Sequence, residues 1–451
     1  MKHTEIGMFT GTAGGPPVAE RSSDGERDPS LLMKGRSLAA ELLDRRQRVP
    51  LAVGVVIAAL ALVPVAILPS ESAIYAGIAN PSPTLHTYTA AIVVAGVVVA
   101  IRATRGFLTG LLLWAPFLVW LIIFMISAWD PSARTVSGLL QLALGAITFA
   151  IGVAGEAQDR ARSFLVWAFA IAAWIQLAAI LLASIGLPLR RIGGQQALDV
   201  LGRATGLTSH PGELAKLLFF CGLCALMLPQ RTTWERWAAW LTLGAVLVGV
   251  SLAQSRSVLV AIISMIVIFV LLELTAGRWQ RRHFVVIGIT LALGAASLPW
   301  LIARFSADPS GGARGHVAKV AFHAIEAHPW AGVGPNGYVA VVGATDPLTA
   351  GGVPVHNVFL LSAAEVGVAG AFYLWLPFLV VAARAIYYTW RTRGSDLAAR
   401  VVVSALPGIG LIAMTGWGLM QGPYFLIFSL VLGYFGARAG TGSGQVGDGL
   451  N

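Results

Sequence analysis

Val355 to Gly370 reads VHNVFLLSAAEVGVAG. Apart from His356, Asn357, Ser362 and Glu365 it is apolar or small, and the apolar run continues past it to about residue 383. Such a run exceeds the ~20 residues a helix needs to cross ~30 Å of hydrocarbon. The same signal recurs along the chain, and it decides the fold class. Of 451 residues 57% are hydrophobic and only 12% are charged, where a soluble domain has about a quarter charged. The runs are continuous rather than alternating, which excludes a β-barrel. The expectation is an all-α polytopic membrane protein with about 12 transmembrane helices.

The spans are expected at about 49–68, 87–101, 107–128, 136–154, 164–186, 213–229, 238–253, 257–274, 284–302, 356–383, 401–420 and 423–438. A long loop at 303–355, with short helices of its own, separates the ninth span from the tenth. Residues 1–48, rich in Gly, Ser and Arg, read as a disordered, uncleaved cytoplasmic tail. Residues 439–451 read as a second, flexible cytoplasmic tail. The domains are therefore 1–48, 49–302, 303–355, 356–438 and 439–451. No internal repeat stands out.

Arginine and lysine set the orientation. The first tail, the even-numbered connections and Arg438 at the end of the last span hold 22 of the 31 Lys and Arg residues. That side is cytoplasmic, both termini lie on it, and residues 303–355 face the periplasm. The net charge of +10 is spread over short connections, a distribution that argues against nucleic acid. Several cations break the bias: Arg134, Arg190, Arg191, Arg203, Arg256, Arg304, Arg314 and Lys319 fall on the outer side, with Lys216 in the outer turn of the sixth span. Each alone is explained by snorkelling to headgroups. Together they point to an anionic ligand at the outer leaflet, since the planar guanidinium binds two phosphate oxygens at once.

Other motifs read as structure. Cys221 and Cys224 sit inside an apolar span, where two small residues packed on a helix face is the better reading. Glu213 and Lys216 have the spacing of a helix pair, and Gln141 and Gln176 can bond across helices. In HVAKVAFHAIEAHPWAGVGPNGY, His316 to Tyr338, Pro329 stops a helix and GVGPNGY forms a tight turn. That turn resembles a phosphate-cradling loop, although its plainer role is to return the chain to the membrane. No metal-ligand spacing, phosphate-binding loop or nucleophile elbow occurs, so no metal or cofactor is expected. His356 lies at the outer mouth of its span, where an imidazole with a reference pKa of ~6.5 exchanges protons near neutral pH. Glu365, ~13 Å deeper on an unbroken helix, falls near the midplane, where a carboxylate must be neutral or paired. The expectation for it is a structural hydrogen bond, with Gly367 and Gly370 admitting a neighbouring helix.

His356-Asn357, nine residues, then Gly367-x-x-Gly370 resembles the signature of the O-antigen ligase and O-antigen polymerase superfamily. HPWAGVGPNGY resembles the loop before that signature, GRATGLTSHPGELA (Gly202–Ala215) its first arginine segment, and SRSVLV (Ser255–Val260) its second. The resemblance implies a glycosyltransferase of the bacterial inner membrane, active at the periplasmic face in lipopolysaccharide or cell-envelope synthesis. Its donor would be a polyprenyl-diphosphate-linked glycan, its acceptor a glycolipid or glycan, and the lipid bilayer its medium. His356 would be the general base, Arg203 and Arg256 would engage the diphosphate, and Arg314 and Asn357 would add substrate contacts, without metal. Ala371 and Phe372 follow Gly370 where ligases often have Thr-Gly, which leaves ligase and polymerase open. A transporter of such lipids is a third reading.

Overall fold

The computed structural model describes residues 48–62, 85–127, 133–187, 203–228, 232–277, 314–352, 354–416, 418–420 and 422–441, with scattered positions between 284 and 306. Both tails and the expected ninth span lie largely outside them. Among the described residues the chain is helical, with no strand. The elements are α1 (Arg48–Ala61), α2 (Thr87–Arg102), α3 (Thr104–Ser127), α4 (Ala133–Glu156), α5 (Asp159–Ser184), α6 (Pro211–Ala225), α7 (Thr233–Leu252), α8 (Arg256–Thr275), α9 (Arg314–Ala327), α10 (Tyr338–Val342), α11 (Pro347–Ala350), α12 (Val358–Arg391), α13 (Leu397–Thr415) and α14 (Gly422–Arg438). Six of these, α3, α4, α5, α8, α12 and α13, are long and apolar enough to cross a membrane. Only a helix lets an apolar segment satisfy all its backbone groups internally in lipid.

Polar residues mark where helices begin. Thr232 and Glu235 form a reciprocal cap on α7. The Asp396 side chain accepts from the Ala399 amide at the start of α13, and His210 accepts from the Gly212 amide just ahead of α6, with Pro211 in the first turn. The centre is apolar and aromatic. Trp114 of α3 meets Phe149 of α4, Phe378 of α12 and Phe425 of α14 edge-on, with ring centroids 5.7–6.3 Å apart. Glycine brings backbones together there: a Cβ on Gly152 would strike the Leu430 carbonyl, and one on Gly433 the Phe149 carbonyl. This is the small-residue packing that membrane helices use where the hydrophobic effect cannot drive association. Cys221 and Cys224 are buried free thiols on α6, as expected of packing residues. The Gln141 side chain donates to the Met420 carbonyl at 2.8 Å, and that of Gln176 to the Ala61 carbonyl at 3.0 Å.

The helix quoted at the outset is not continuous. Gly367 sits at φ 73°, ψ 168°, in the left-handed half of backbone space that favours glycine, and divides α12 into Val358–Val366 and Val368–Arg391. The second part alone spans ~36 Å at 1.5 Å per residue, enough to cross the ~30 Å of hydrocarbon. Glu365 lies before that second part, two residues ahead of Gly367. The midplane estimate counted inward from His356 along an unbroken helix.

Candidate functional site

Residues 328–338 lie across that break as a strap. In an unbroken helix the Val368 amide would donate to the Ala364 carbonyl. Here the Val368 amide donates to the Pro329 carbonyl (2.9 Å), and the Ala364 carbonyl accepts from the Val333 amide instead (2.8 Å). The Gly334 amide takes the Glu365 carbonyl at 2.9 Å. The strap thus takes up the Val368 amide and the Ala364 and Glu365 carbonyls at the break, which helps make it tolerable. The Glu365 carboxylate accepts from the backbone amides of Asn336 and Tyr338. A Cβ on Gly367 would strike the Trp330 carbonyl, and one on Gly332 the backbone of Glu365. Gly367 therefore admits the strap, not a neighbouring helix. Gly370 does face a helix: Trp120 of α3 lies against it and donates from Nε1 to the Val366 carbonyl at 3.2 Å. The strap amides of Gly332, Val333, Gly334, Asn336, Gly337 and Tyr338 all have protein acceptors. GVGPNGY is therefore a buttress, not a phosphate cradle.

The strap also aligns α9 with the first part of α12. Their C-terminal ends meet at Pro329 and Val368. Their N-terminal ends carry Arg314 and His356, and the Arg314 charge acts on the imidazole. The start of α9 is tied a second time, by His316 Nε2 to Asp346 Oδ1 at 2.6 Å. That bond, with those from Thr349, holds the Asp346 carboxyl below the usual carboxylate range.

His356 is half-buried just ahead of α12. Asn357 places it: its Oδ1 accepts from the amides of Phe359 (2.9 Å) and Leu360 (3.1 Å), an N-cap that starts the helix immediately after the histidine. The His356 Nδ1 is buried and has no hydrogen-bond partner among the described residues. Burial and then the Arg314 charge lower the His356 pKa; the Pro354 carbonyl opposes them, and the Lys216 charge adds the smallest lowering effect. The ring is held neutral, in the form that accepts a proton.

Lys216 belongs to this cluster, which its sequence reading as half of a helix pair missed. The Glu213 carboxylate accepts from the Ser209 amide (3.0 Å) and from the Tyr424 hydroxyl (3.3 Å). Lys216 lies against Gly418 instead, where a Cβ would collide with its ammonium. Its side chain is half-buried, and its charge reaches His356. The signal in the sequence was its place among cations that break the charge bias.

The segments that carry Arg203 and Arg256 are joined by a backbone bond. The Ala204 amide donates to the Leu252 carbonyl at the end of α7 (3.0 Å). After a turn through Gln254, at φ 56°, the chain enters α8 at Arg256. The residue after Arg203 is thus bonded four residues ahead of Arg256, and both arginines are half-buried. The cations that act on His356 are Arg314 and Lys216. A separate cleft of about 230 Å³, lined by Phe124, Thr135, His328, Gly332, Val333, Gly334 and Val341, lies against the strap and does not include His356. Among the described residues no three His, Cys, Asp or Glu side chains gather as a metal site.

Comparison with curated proteins found no match. Residues 237–376 match the family model described as O-Antigen ligase. The matched region holds Arg256, Arg314, the strap, His356, Asn357, Gly367 and Gly370, while Arg203 and Lys216 precede it. The match covers about a third of the chain; with the apolar helices it supports a membrane protein of an O-antigen ligase-like superfamily, with a function of the ligase or polymerase type in general.

Proposed function

We propose that the protein is a glycosyltransferase of the O-antigen ligase kind, taking a glycan from a polyprenyl-diphosphate carrier to an acceptor hydroxyl at the outer face of the bacterial inner membrane. It crosses that membrane about twelve times, with 1–48 and 439–451 in the cytoplasm and 303–355 outside. The basic residues of the connections support this orientation. His356 takes the proton of the acceptor hydroxyl. The oxygen bonds to the anomeric carbon as the bond from that carbon to the carrier diphosphate breaks, and the polyprenyl diphosphate departs with the electron pair. Arg203 and Arg256 bind the diphosphate, and Arg314 and Lys216 add positive charge beside the base, so the anion forming on the leaving group meets fixed cations. Asn357 holds the base in register by capping α12. Metal has no part in this scheme.

One observation carries the reading: a half-buried imidazole whose Nδ1 has no partner among the described residues, at a helix mouth inside the O-antigen ligase match. The test supplies the full chain in nanodiscs with a polyprenyl-diphosphate-linked oligosaccharide and a glycolipid acceptor. Transfer to the acceptor, lost in His356→Ala, is expected. Lengthening of the glycan without added acceptor would identify a polymerase. Lipid movement with no new glycosidic bond would overturn the enzyme reading in favour of a transporter.

A further inference from the structure

We infer that Glu365 is a positioning residue: by binding the strap amides of Asn336 and Tyr338 it sets where Arg314 stands beside His356. The inference rests on the role proposed above for His356. Two parallel helices, α9 and the first part of α12, carry Arg314 and His356 at one end and are joined at the other by the strap. Backbone bonds from Val333, Gly334 and Val368 dock the strap on the break. Its far side, where the chain turns at Asn336 (φ 58°) into α10, is secured by the Glu365 carboxylate. The carboxyl group presents two oxygens to two amides. Glutamine offers one oxygen and turns an N–H toward the second donor. The geometry explains why an acidic residue stands beside the break, ~13 Å along the helix from the base: it acts on the base through the strap and α9.

The experiment reads His356 directly. The charged groups facing His356 are Arg314 on α9 and Lys216 on α6, with Glu213 on α6 beside Lys216. Full-length protein with ¹³C-labelled histidine in detergent micelles shows the His356 signal, identified by its loss in His356→Ala. In Glu365→Gln that signal is expected to titrate at higher pH than in wild type, moving toward the ordinary value of ~6.5. Arg314→Gln should move it the same way, and the double variant no further than Arg314→Gln alone. Transfer, measured with a polyprenyl-diphosphate-linked oligosaccharide, should fall on the order of tenfold to a hundredfold in kcat/KM, as for a catalytic group moved by about 1 Å. An unmoved titration in a folded Glu365→Gln variant overturns the inference. Should that variant fail to accumulate, hydrogen exchange on the wild type decides: the Asn336 and Tyr338 amides exchange slowly if Glu365 holds them, and rapid exchange overturns the clamp. If His356→Ala still transfers, the transferase role of the histidine fails while the clamp stands. If His356→Ala is dead and the Glu365→Gln titration is unchanged, the clamp alone fails.

Discussion

At one end of the helix bundle Arg400 of α13 reaches Glu273 of α8 at 2.7 Å, fully buried, with its guanidinium over the Phe269 ring. Beside it Arg438 meets Glu156 at 3.2 Å, Arg384 donates to the Ala439 carbonyl, and Asp396 accepts from the Gly440 amide. At the other end Lys216, Arg314 and His356 share one region, and Glu213 there is turned to Ser209 and Tyr424. At the first end these charges meet partners from other segments, and the two ion pairs join α4 to α14 and α8 to α13. The second end gathers cations around a base. Bringing like charges together costs energy that pairing would recover, and such a cost persists where a ligand or a reaction uses the field. The same residue type, arginine, is thus a fastener at one end and a candidate binding group at the other.

The comparison breaks most sharply at His356. His356→Ala is expected to lower transfer by about 10²–10⁴, the range for loss of a general base, with expression and thermal unfolding unchanged. Transfer within threefold of wild type would remove the distinction between the two ends. Arg400→Met tests the opposite end. Leaving Glu273 buried without its partner costs about 3–5 kcal/mol of stability, read as a lower unfolding temperature, while kcat of the surviving folded protein stays near wild type. A specific loss of kcat at normal stability would show that the fastener end takes part in chemistry.

Arg203→Ala and Arg256→Ala are expected to lose about ten- to a hundredfold in kcat/KM, the equivalent of a charge-assisted contact of about 1.5–3 kcal/mol. Lysine should restore part of it, since it keeps the charge and loses the bidentate fork. Equal, full activity in the alanine and lysine variants would mean that both arginines only anchor headgroups. The pH profile sharpens the same end. A base with a depressed pKa is active above that value and loses activity as pH falls through it. The acid limb should therefore lie below ~6.5 and move upward in Lys216→Gln, which removes one cause of the depression. The smallest effect is expected from Asn357→Ala. Loss of an N-cap costs about 1 kcal/mol, and the loosened first turn should lower kcat more than it raises KM.

Much of the fold was legible because membrane helices are written locally. A run of apolar residues in lipid must close its own hydrogen bonds, so composition over some twenty positions decides the element without reference to partners. The pattern His356-Asn357…Gly367-x-x-Gly370 marked the domain in the same local way, and the family match over 237–376 agrees with it. The places of Glu365, Lys216 and the arginine pair were decided by tertiary structure alone. The strap occupies carbonyls that an unbroken α12 would fill itself, so nothing in the periodicity of 356–383 announces the exchange. The Ala204–Leu252 bond ties the Arg203 segment to the turn ahead of Arg256, and Arg400 meets Glu273 across two helices distant in sequence. Hydropathy says that a segment is buried in lipid or protein, but not which neighbour it meets. That choice depends on shape and on hydrogen bonds between distant segments, which exist only once the helices have packed.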